Sequence, residues 1–284
     1  MLVKNNLIVI GNGFDKNLGL KTCYSDFIAS REFQNLTKQN NDIAIELTNE
    51  LGLQKWIDIE IFLKRFSLQS NRPDVVEEHF EKLKNALIAY LESIDVSTMD
   101  KTSDAYKLIS TLHKDSIILN FNYTDTVKAI MRECGVSDVE ISKRVIHVHG
   151  TLIDKDIIFG VEDSARINVS KHVFLQKSSN INYKAFDITD YLNWDTNLYV
   201  FGHSLGETDT PYFQTFVDEI LEFKPQHAGH EKRIFNLYYH GNQSLNDLNL
   251  RIVSMTNSNL RIFKKNVQLN FIDTLKPSLT TIAC

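Results

Sequence analysis

Short apolar runs that each lead into a glycine-rich or polar string constrain the fold of this chain most. In order, residues 7–10 precede G-N-G-F-D (11–15), residues 117–119 precede N-F-N-Y-T (120–124), and residues 145–146 precede H-V-H-G (147–150). Short apolar runs bounded by such strings are typical of buried strands. In an open parallel sheet, the carboxyl ends of the strands meet at one crevice where ligands bind. The sequence therefore predicts one pocket built from three distant strings, suited to a nucleotide with its phosphates on the glycine turn.

Further apolar runs alternate with helical segments along the rest of the chain. Strands are predicted at 157–160, 197–201, 234–239, 260–263 and 267–272, and helices near 125–134, 209–223 and 243–257. This alternation is typical of a Rossmann-like α/β fold with a parallel sheet. Between residues 34 and 113 the alternation stops, and apolar residues recur at helical spacing. We therefore predict a helical subdomain at 34–113, inserted within a single α/β domain that spans 1–284.

Charge and cysteine content narrow the class of function. The 284 residues carry a formal net charge of −5, whereas dedicated nucleic-acid binders are usually basic, so nucleic acid is not an expected partner. No apolar run approaches the roughly 20 residues that span a membrane, and the first residues do not resemble a signal peptide. Three widely spaced cysteines, Cys23, Cys134 and Cys284, predict reduced thiols in a cytoplasmic protein.

The turn after the first predicted strand is the candidate phosphate site. Gly11 and Gly13 would let backbone N–H groups approach a pyrophosphate at a helix N-terminus, with Asn12 and Phe14 in the same turn. The third glycine of the ordinary dinucleotide fingerprint is missing, so a tight turn without a ligand is the alternative. Asp15 either caps the following helix or hydrogen-bonds a ribose hydroxyl.

Two polar residues near the ends of the next strands are the candidate catalytic pair. The amide of Asn122 can donate and accept together, which suits a water or a ribose hydroxyl; the alternative is a turn asparagine bonded to its own backbone. The imidazole of His149 can serve as a general base near neutral pH, or it is a structural histidine. Although His147 and His149 share a strand face, no third ligand is evident, and no metal is expected.

A second strand–glycine–helix string follows the predicted strand at 197–201. Its Gly202 and Ser204 are candidate phosphate contacts, and Asp209 either bonds a ribose or caps the next helix. The string F-G-V-E-D at 159–163 would place an aromatic ring and acids at the rim. The string W-x-D-x-E at 56–60 is most simply one helix with an apolar face.

Taken in order, these strings resemble the sirtuin-like superfamily, which has a glycine turn, D-F, an asparagine string, H-G, F-G-E and G-x-S. They are more similar still to the bacteriophage abortive-infection family AbiH. Its strings G-N-G-F-D, T-x-Y-x-D-F (here 22–27), W-x-D-x-E, N-F-N-Y-T, H-G and G-H-S-L-x-x-x-D all occur in this chain. The resemblance covers nearly the whole sequence.

The resemblance implies a sirtuin-like domain that binds NAD as its substrate. It implies that Asn122 holds the nicotinamide ribose or a water and that His149 is the general base. Asp26 and Tyr123 lie in matching strings and are further candidates for the NAD site. One departure is Asp15, which stands where the superfamily has serine or threonine and would disfavour a nearby anion unless it bonds ribose.

The resemblance also implies a reaction. Bacterial defence members of the superfamily cleave the nicotinamide–ribose bond and drain cellular NAD, so we expect an NAD glycohydrolase in anti-phage abortive infection. The four-cysteine zinc module of the deacetylases is missing, which makes peptide deacetylation the weaker expectation. The alternative is a module that binds a nucleotide or ADP-ribose without cutting it and regulates a partner effector. A homo-oligomer or a partner protein of the defence system is compatible with either.

Overall fold

The structure is a computed structural model, and it describes residues 6–51, 59–70, 72–163, 165–185, 187–192, 196–206, 209–223 and 232–276. The chain divides into two compact units. The sheet unit contains 1–19, 99–148 and 185–284, and the helical unit contains 20–98 and 149–184. The predicted insertion at 34–113 belongs to the helical unit up to residue 98, and its last part belongs to the sheet unit.

Six strands are described, and all of them lie in the sheet unit. They are β1 (Asn6–Ile10), β2 (Ser116–Asn120), β3 (Val145–His147), β4 (Asn197–Phe201), β5 (Arg233–Tyr239) and β6 (Val267–Asp273). They form one sheet in the order β3-β2-β1-β4-β5-β6, and every neighbouring pair is parallel. The predicted α/β class with a Rossmann-like sheet is thereby confirmed. The strand order reverses between β1 and β4, which is the point where such sheets bind ligands.

The described α-helices follow in chain order. The first six are α1 (Asn12–Asn17), α2 (Tyr24–Ile28), α3 (Arg31–Lys38), α4 (Asp42–Leu51), α5 (Ile59–Gln69) and α6 (Pro73–Glu92). The others are α7 (Asp104–Leu112), α8 (Thr126–Glu133), α9 (Asp138–Arg144), α10 (Val169–His172), α11 (Thr210–Glu222), α12 (Gly241–Met255) and α13 (Leu260–Asn266). Helices α2 to α6 and α10 belong to the helical unit, and the rest belong to the sheet unit.

Strand β1 is buried on both faces of the sheet, which explains why it is apolar at every position after Asn6. Leu7 and Val9 belong to one apolar cluster with Phe213 and Phe216 of α11. Ile8 points to the opposite face by strand alternation and is equally buried. A parallel sheet buried on both faces needs continuous apolar strands rather than alternating ones.

The helical unit is organised around α6. Pro73 begins this helix, where a missing N–H costs nothing. Its buried positions recur every three or four residues, as predicted, and are Val76, Phe80, Leu83, Leu87 and Leu91. Helices α3, α4 and α10 pack against it. Asn41, just before α4, donates from its side chain to the carbonyl of His79 in α6, at 2.9 Å.

Two predicted strands are wrong. Residues 157–160 form no strand; Ile157, Ile158 and Phe159 are buried in a loop. A short buried apolar run cannot be distinguished from a strand by periodicity alone. Residues 260–263 begin α13 instead of an edge strand. Helix α9 was not predicted, because its seven residues are too few to show a clear period. Among the helices in the described ranges, none has the length and apolar content needed to cross a membrane.

Candidate functional site

The turn after β1 and the loop after β4 are joined through their backbones at the reversal of strand order. Gly11 N–H donates to the carbonyl of Phe201 at 3.1 Å, and Gly13 N–H donates to that of Gly202 at 2.9 Å. A Cβ on Gly13 would lie 2.6 Å from Gly202 Cα, and one on Gly202 would lie 2.1 Å from Phe14 N. The contact therefore requires glycine on both sides. Gly202 also has a φ of +66°, which glycine adopts most readily.

This contact bears directly on the predicted phosphate site. The N–H of Gly13 is bonded to Gly202, and the N–H of Phe14 is bonded to the carbonyl of Gly11 at 2.9 Å. A phosphate bound by either group would have to replace one of these bonds. The side chain of Phe14 is buried and packs edge-on against Phe201, with ring centroids 5.6 Å apart. Asn12 is the exposed residue of the turn.

Asn122 is held beside this turn by a small amide network. Its side-chain nitrogen donates to the carbonyl of Gly11 at 3.1 Å, and its backbone N–H donates to the side-chain oxygen of Asn120 at 2.9 Å. The side-chain nitrogen of Asn120 donates to the carbonyl of Thr124 at 3.1 Å. The structure thus brings Asn122, which follows β2, against the turn that follows β1. Tyr123 is half-buried in the same loop.

Asp15 is fully buried within α1. Its two carboxylate oxygens accept hydrogen bonds from the hydroxyls of Thr124, at 2.5 Å, and Thr126, at 2.7 Å. Burial raises the pKa of Asp15 to about 6, although the bonds from the two threonines and from Asn122 lower it. The predicted capping role is not observed, because Gly11 is the N-cap of α1 and Asp15 lies inside the helix.

His203, which was not among the predicted site residues, is hydrogen-bonded through Nδ1 and has a carboxylate beside Nε2. Its Nδ1 accepts from the N–H of Leu205 at 3.1 Å, and its Nε2 lies 3.3 Å from Asp209 Oδ2. This arrangement favours the tautomer with the proton on Nε2. The ring packs edge-on against Phe121, with centroids 4.4 Å apart. Ser204, the next residue, is exposed.

Asp209 is the N-cap residue of α11, although its side chain makes no capping hydrogen bond. Its carboxylate instead lies beside His203, as described above. The G-H-S-L string did contain a signal for this pair, since a histidine two residues after a strand and an aspartate six residues later can meet across a short loop. The predicted alternatives, a ribose contact or a helix cap, did not include it.

A second histidine–aspartate pair lies after β2 and β3. Nε2 of His147 is 3.2 Å from Asp125 Oδ1, and its Nδ1 is 3.2 Å from the carbonyl of Asn122. Lys128 Nζ is 2.9 Å from the same Asp125 oxygen. Burial opposes ionisation of Asp125, but the bonds from His147 and Lys128 outweigh it and lower the pKa of this carboxyl. His147 therefore holds the Asn122 loop and the start of α8 together.

His149 belongs to the helical unit, whereas Asn122 belongs to the sheet unit. The side chain of His149 is buried, and its carbonyl accepts from the N–H of Ile158 at 2.9 Å. The next residue, Gly150, has a φ of +75°, and a Cβ there would lie 2.3 Å from the carbonyl oxygen of Asp156. The H-G string is thus part of a tight loop. That Asn122 and His149 line one pocket stays a prediction.

The remaining predicted residues lie in the helical unit or outside the described ranges. Asp26 accepts a hydrogen bond from the N–H of Cys23 at 3.2 Å and so caps the start of α2. Phe159 is buried and stacks on Phe80, with centroids 5.4 Å apart, instead of lying at a rim. Trp56 and Asp58 lie outside the described residues.

Glu60, the last residue of the W-x-D-x-E string, forms an ion pair with a buried lysine. Lys177 has no exposed surface, and its Nζ lies 3.1 Å from Glu60 Oε1 and 2.9 Å from Glu162 Oε1. Both acids lie in strings that the sequence marks as candidate sites, whereas the lysine was not predicted. Lysine is almost never fully buried unless paired, and its surroundings at 164–193 carry no strand or helix pattern that would have marked it.

The sheet order and the glycine contact at its reversal define a Rossmann-like α/β protein. The family model described as Bacteriophage abortive infection AbiH matches residues 66–226, which is more than half of the chain. The chain belongs to this family. Membership indicates a role in defence against bacteriophage by abortive infection. No curated protein matches the chain.

Proposed function

We propose that this chain is an NAD glycohydrolase that acts in abortive infection. The observation that carries the proposal is the position of Asn122, whose amide lies against the Gly11 turn beside the reversal of strand order. Sheets of this class bind nucleotides at that point. The family's role in phage defence supports a reaction that harms the infected cell, and loss of NAD is such a reaction.

In the proposed reaction, the bond between the nicotinamide nitrogen and C1′ of the ribose breaks, and its electron pair leaves with nicotinamide. Water adds at C1′ and gives up a proton, so the products are nicotinamide, ADP-ribose and a proton. Asn122 would orient the ribose or the water. His149, to which the sequence resemblance assigns the role of base, would accept the proton; such a group typically contributes 10²–10⁴-fold to the rate.

The direct test is NAD consumption by the purified chain and by His149→Gln, with His113→Gln as the matched control. His113 is also a buried histidine, bonded through Nδ1 to the carbonyl of Ile109 at 3.0 Å, and it has no part in the proposed reaction. We expect His149→Gln to lower kcat by about 100-fold or more and His113→Gln to leave it near the wild-type value.

The same variants, with Asn122→Ala, should be compared in cells with and without phage, because defence activity can depend on infection. NAD that falls in infected cells with the wild-type chain but not with Asn122→Ala or His149→Gln supports the proposal. Undiminished turnover in either variant would overturn the mechanism. Binding of NAD or ADP-ribose by calorimetry, with NAD unchanged in infected cells, would instead identify a nucleotide-binding module without hydrolysis.

A further inference from the structure

Backbone hydrogen bonds fix the position of the loop that carries Glu162. The N–H of Val161 donates to the carbonyl of Leu175 at 2.7 Å, and the N–H of Lys177 donates to the carbonyl of Val161 at 2.8 Å. These two bonds place residue 162 opposite residue 177. Gly160 makes the approach feasible, since a Cβ there would lie 2.2 Å from the carbonyl oxygen of Leu175.

Buried ion pairs then fix the carboxylate itself. Lys177 Nζ contacts Glu162 at 2.9 Å and Glu60, from α5, at 3.1 Å. All three side chains are in the helical unit. Removing one partner of a buried pair typically costs about 3–5 kcal/mol, so the cluster resists rearrangement. A ring nitrogen of His149, in the same unit, lies within 4.8 Å of a carboxylate oxygen of Glu162.

We propose that Glu162 is a positioning residue for His149, and that Lys177 holds its carboxylate in place for that role. The inference rests on the proposed function, in which His149 accepts a proton. A negative charge within about 4–6 Å favours the protonated imidazole, so Glu162 would stabilise His149 once it has taken the proton. The nearby Asp156 is engaged elsewhere, because its carboxylate accepts from the N–H of Thr151 at 2.7 Å.

The chain provides a matched pair of variants for the test. Glu162→Gln removes the charge beside His149 but keeps an oxygen that can accept from Lys177. Glu60→Gln makes the same change at the other carboxylate around the same lysine, and the Lys177 pairing loses one charge in both variants. A purely structural cluster would respond equally to the two substitutions, whereas a positioning role singles out Glu162.

For NAD consumption, we expect Glu162→Gln to lower kcat by about tenfold, the equivalent of 1.4 kcal/mol, with KM little changed. Glu60→Gln should stay close to wild type in kcat, and Glu162→Asp, which keeps the charge, should recover most of the loss. Equal losses in Glu162→Gln and Glu60→Gln, or no loss in Glu162→Gln, would overturn the proposal. Folding of each variant is checked by thermal melting.

A second measurement does not depend on catalysis. The ring signals of His149 are assigned in NMR spectra by their disappearance in His149→Gln, and their titration is followed in the wild type and in both glutamine variants. We expect the pKa of His149 to fall by about one unit in Glu162→Gln and to change little in Glu60→Gln.

The measurement of NAD consumption and the NMR titration together distinguish a failure of the proposed reaction from a failure of the proposed role of Glu162. If the wild-type chain leaves NAD intact both in vitro and in infected cells but shows the selective fall in the His149 titration, the proposed reaction is contradicted and the role of Glu162 is supported. A chain that consumes NAD but has the same His149 titration in the wild type and in Glu162→Gln contradicts the role of Glu162 alone.

Discussion

The sheet unit and the helical unit both bury acids, but they balance them differently. In the sheet unit, Asp15 receives hydrogen bonds from the hydroxyls of Thr124 and Thr126. In the helical unit, Glu60 and Glu162 both pair with Lys177. Hydroxyls stabilise a carboxylate without balancing its charge, whereas an ammonium does both. The first arrangement therefore tolerates a change of protonation, and the second depends on its charges.

The largest expected effect is a loss of stability, and it tests the arrangement in which Lys177 balances the charges of Glu60 and Glu162. Lys177→Met leaves the buried carboxylate of Glu162 and the partly buried carboxylate of Glu60 around an apolar side chain, and we expect it to destabilise the protein by about 3–5 kcal/mol. The control is Arg132→Met, which breaks the exposed pair with Asp138 and should cost about 1 kcal/mol or less. The measurement is the urea midpoint of unfolding. Similar losses in the two variants would show that the burial of Lys177 carries no special cost.

The next effect is on the pH dependence of stability, and it tests Asp15, the acid that is bound by two hydroxyls. Burial raises the pKa of Asp15 from 3.8 to about 6. Between these two pH values the folded chain keeps a proton on Asp15, whereas the unfolded chain has already released it. The resulting stability is fully present below about pH 4 and is lost as pH rises through about 6. A shift of this size corresponds to about 3 kcal/mol.

In Asp15→Asn this contribution to the pH dependence should vanish. Thermal melting of the wild type and the variant between pH 4 and 7 checks it, with the exposed Asp95→Asn as a control for other titrating groups. If the wild type and Asp15→Asn keep parallel melting curves across this range, Asp15 is not the group that responds.

The smallest effect concerns one hydroxyl. Thr126→Val has nearly the same shape but removes the donor to Asp15, and we expect a loss of about 1.5–3 kcal/mol at pH 7, the usual range for bonds to charged groups. The loss should be smaller at pH 4, where Asp15 is protonated. Urea denaturation at the two pH values measures the difference. A loss that is the same at both would mean that Asp15 keeps one protonation state throughout.

Strands with strong apolar runs could be predicted from the sequence, and so could the polar strings at their ends. Strand β1 ends directly before Gly11, and β2 ends in Asn120, as the periodicity indicated. Parallel pairing then explains why Asn122 reaches Gly11 across 111 positions of sequence. These features follow from local patterns combined with one rule of topology.

Features that depend on tertiary contact could not be predicted in the same way. The run at 157–160 is apolar because it is buried in a loop, and its composition alone does not distinguish that from a strand. Lys177 is a lysine in a polar segment, and its burial depends on the backbone bonds that join its loop to Val161. The engagement of the Gly13 N–H by Gly202 likewise depends on a segment almost 190 residues away.

The backbone contact between the turn after β1 and the loop after β4 constrains the number of residues in these two segments more strictly than the identity of their exposed side chains. Its bonds join main-chain atoms of Gly11 and Gly13 to those of Phe201 and Gly202, so the exposed side chains of Asn12 and Ser204 take no part in those bonds. Inserting or deleting a single residue in either segment would shift these donors and acceptors out of register. Variation in this part of the molecule is therefore expected as exchange of side chains, with the number of residues preserved.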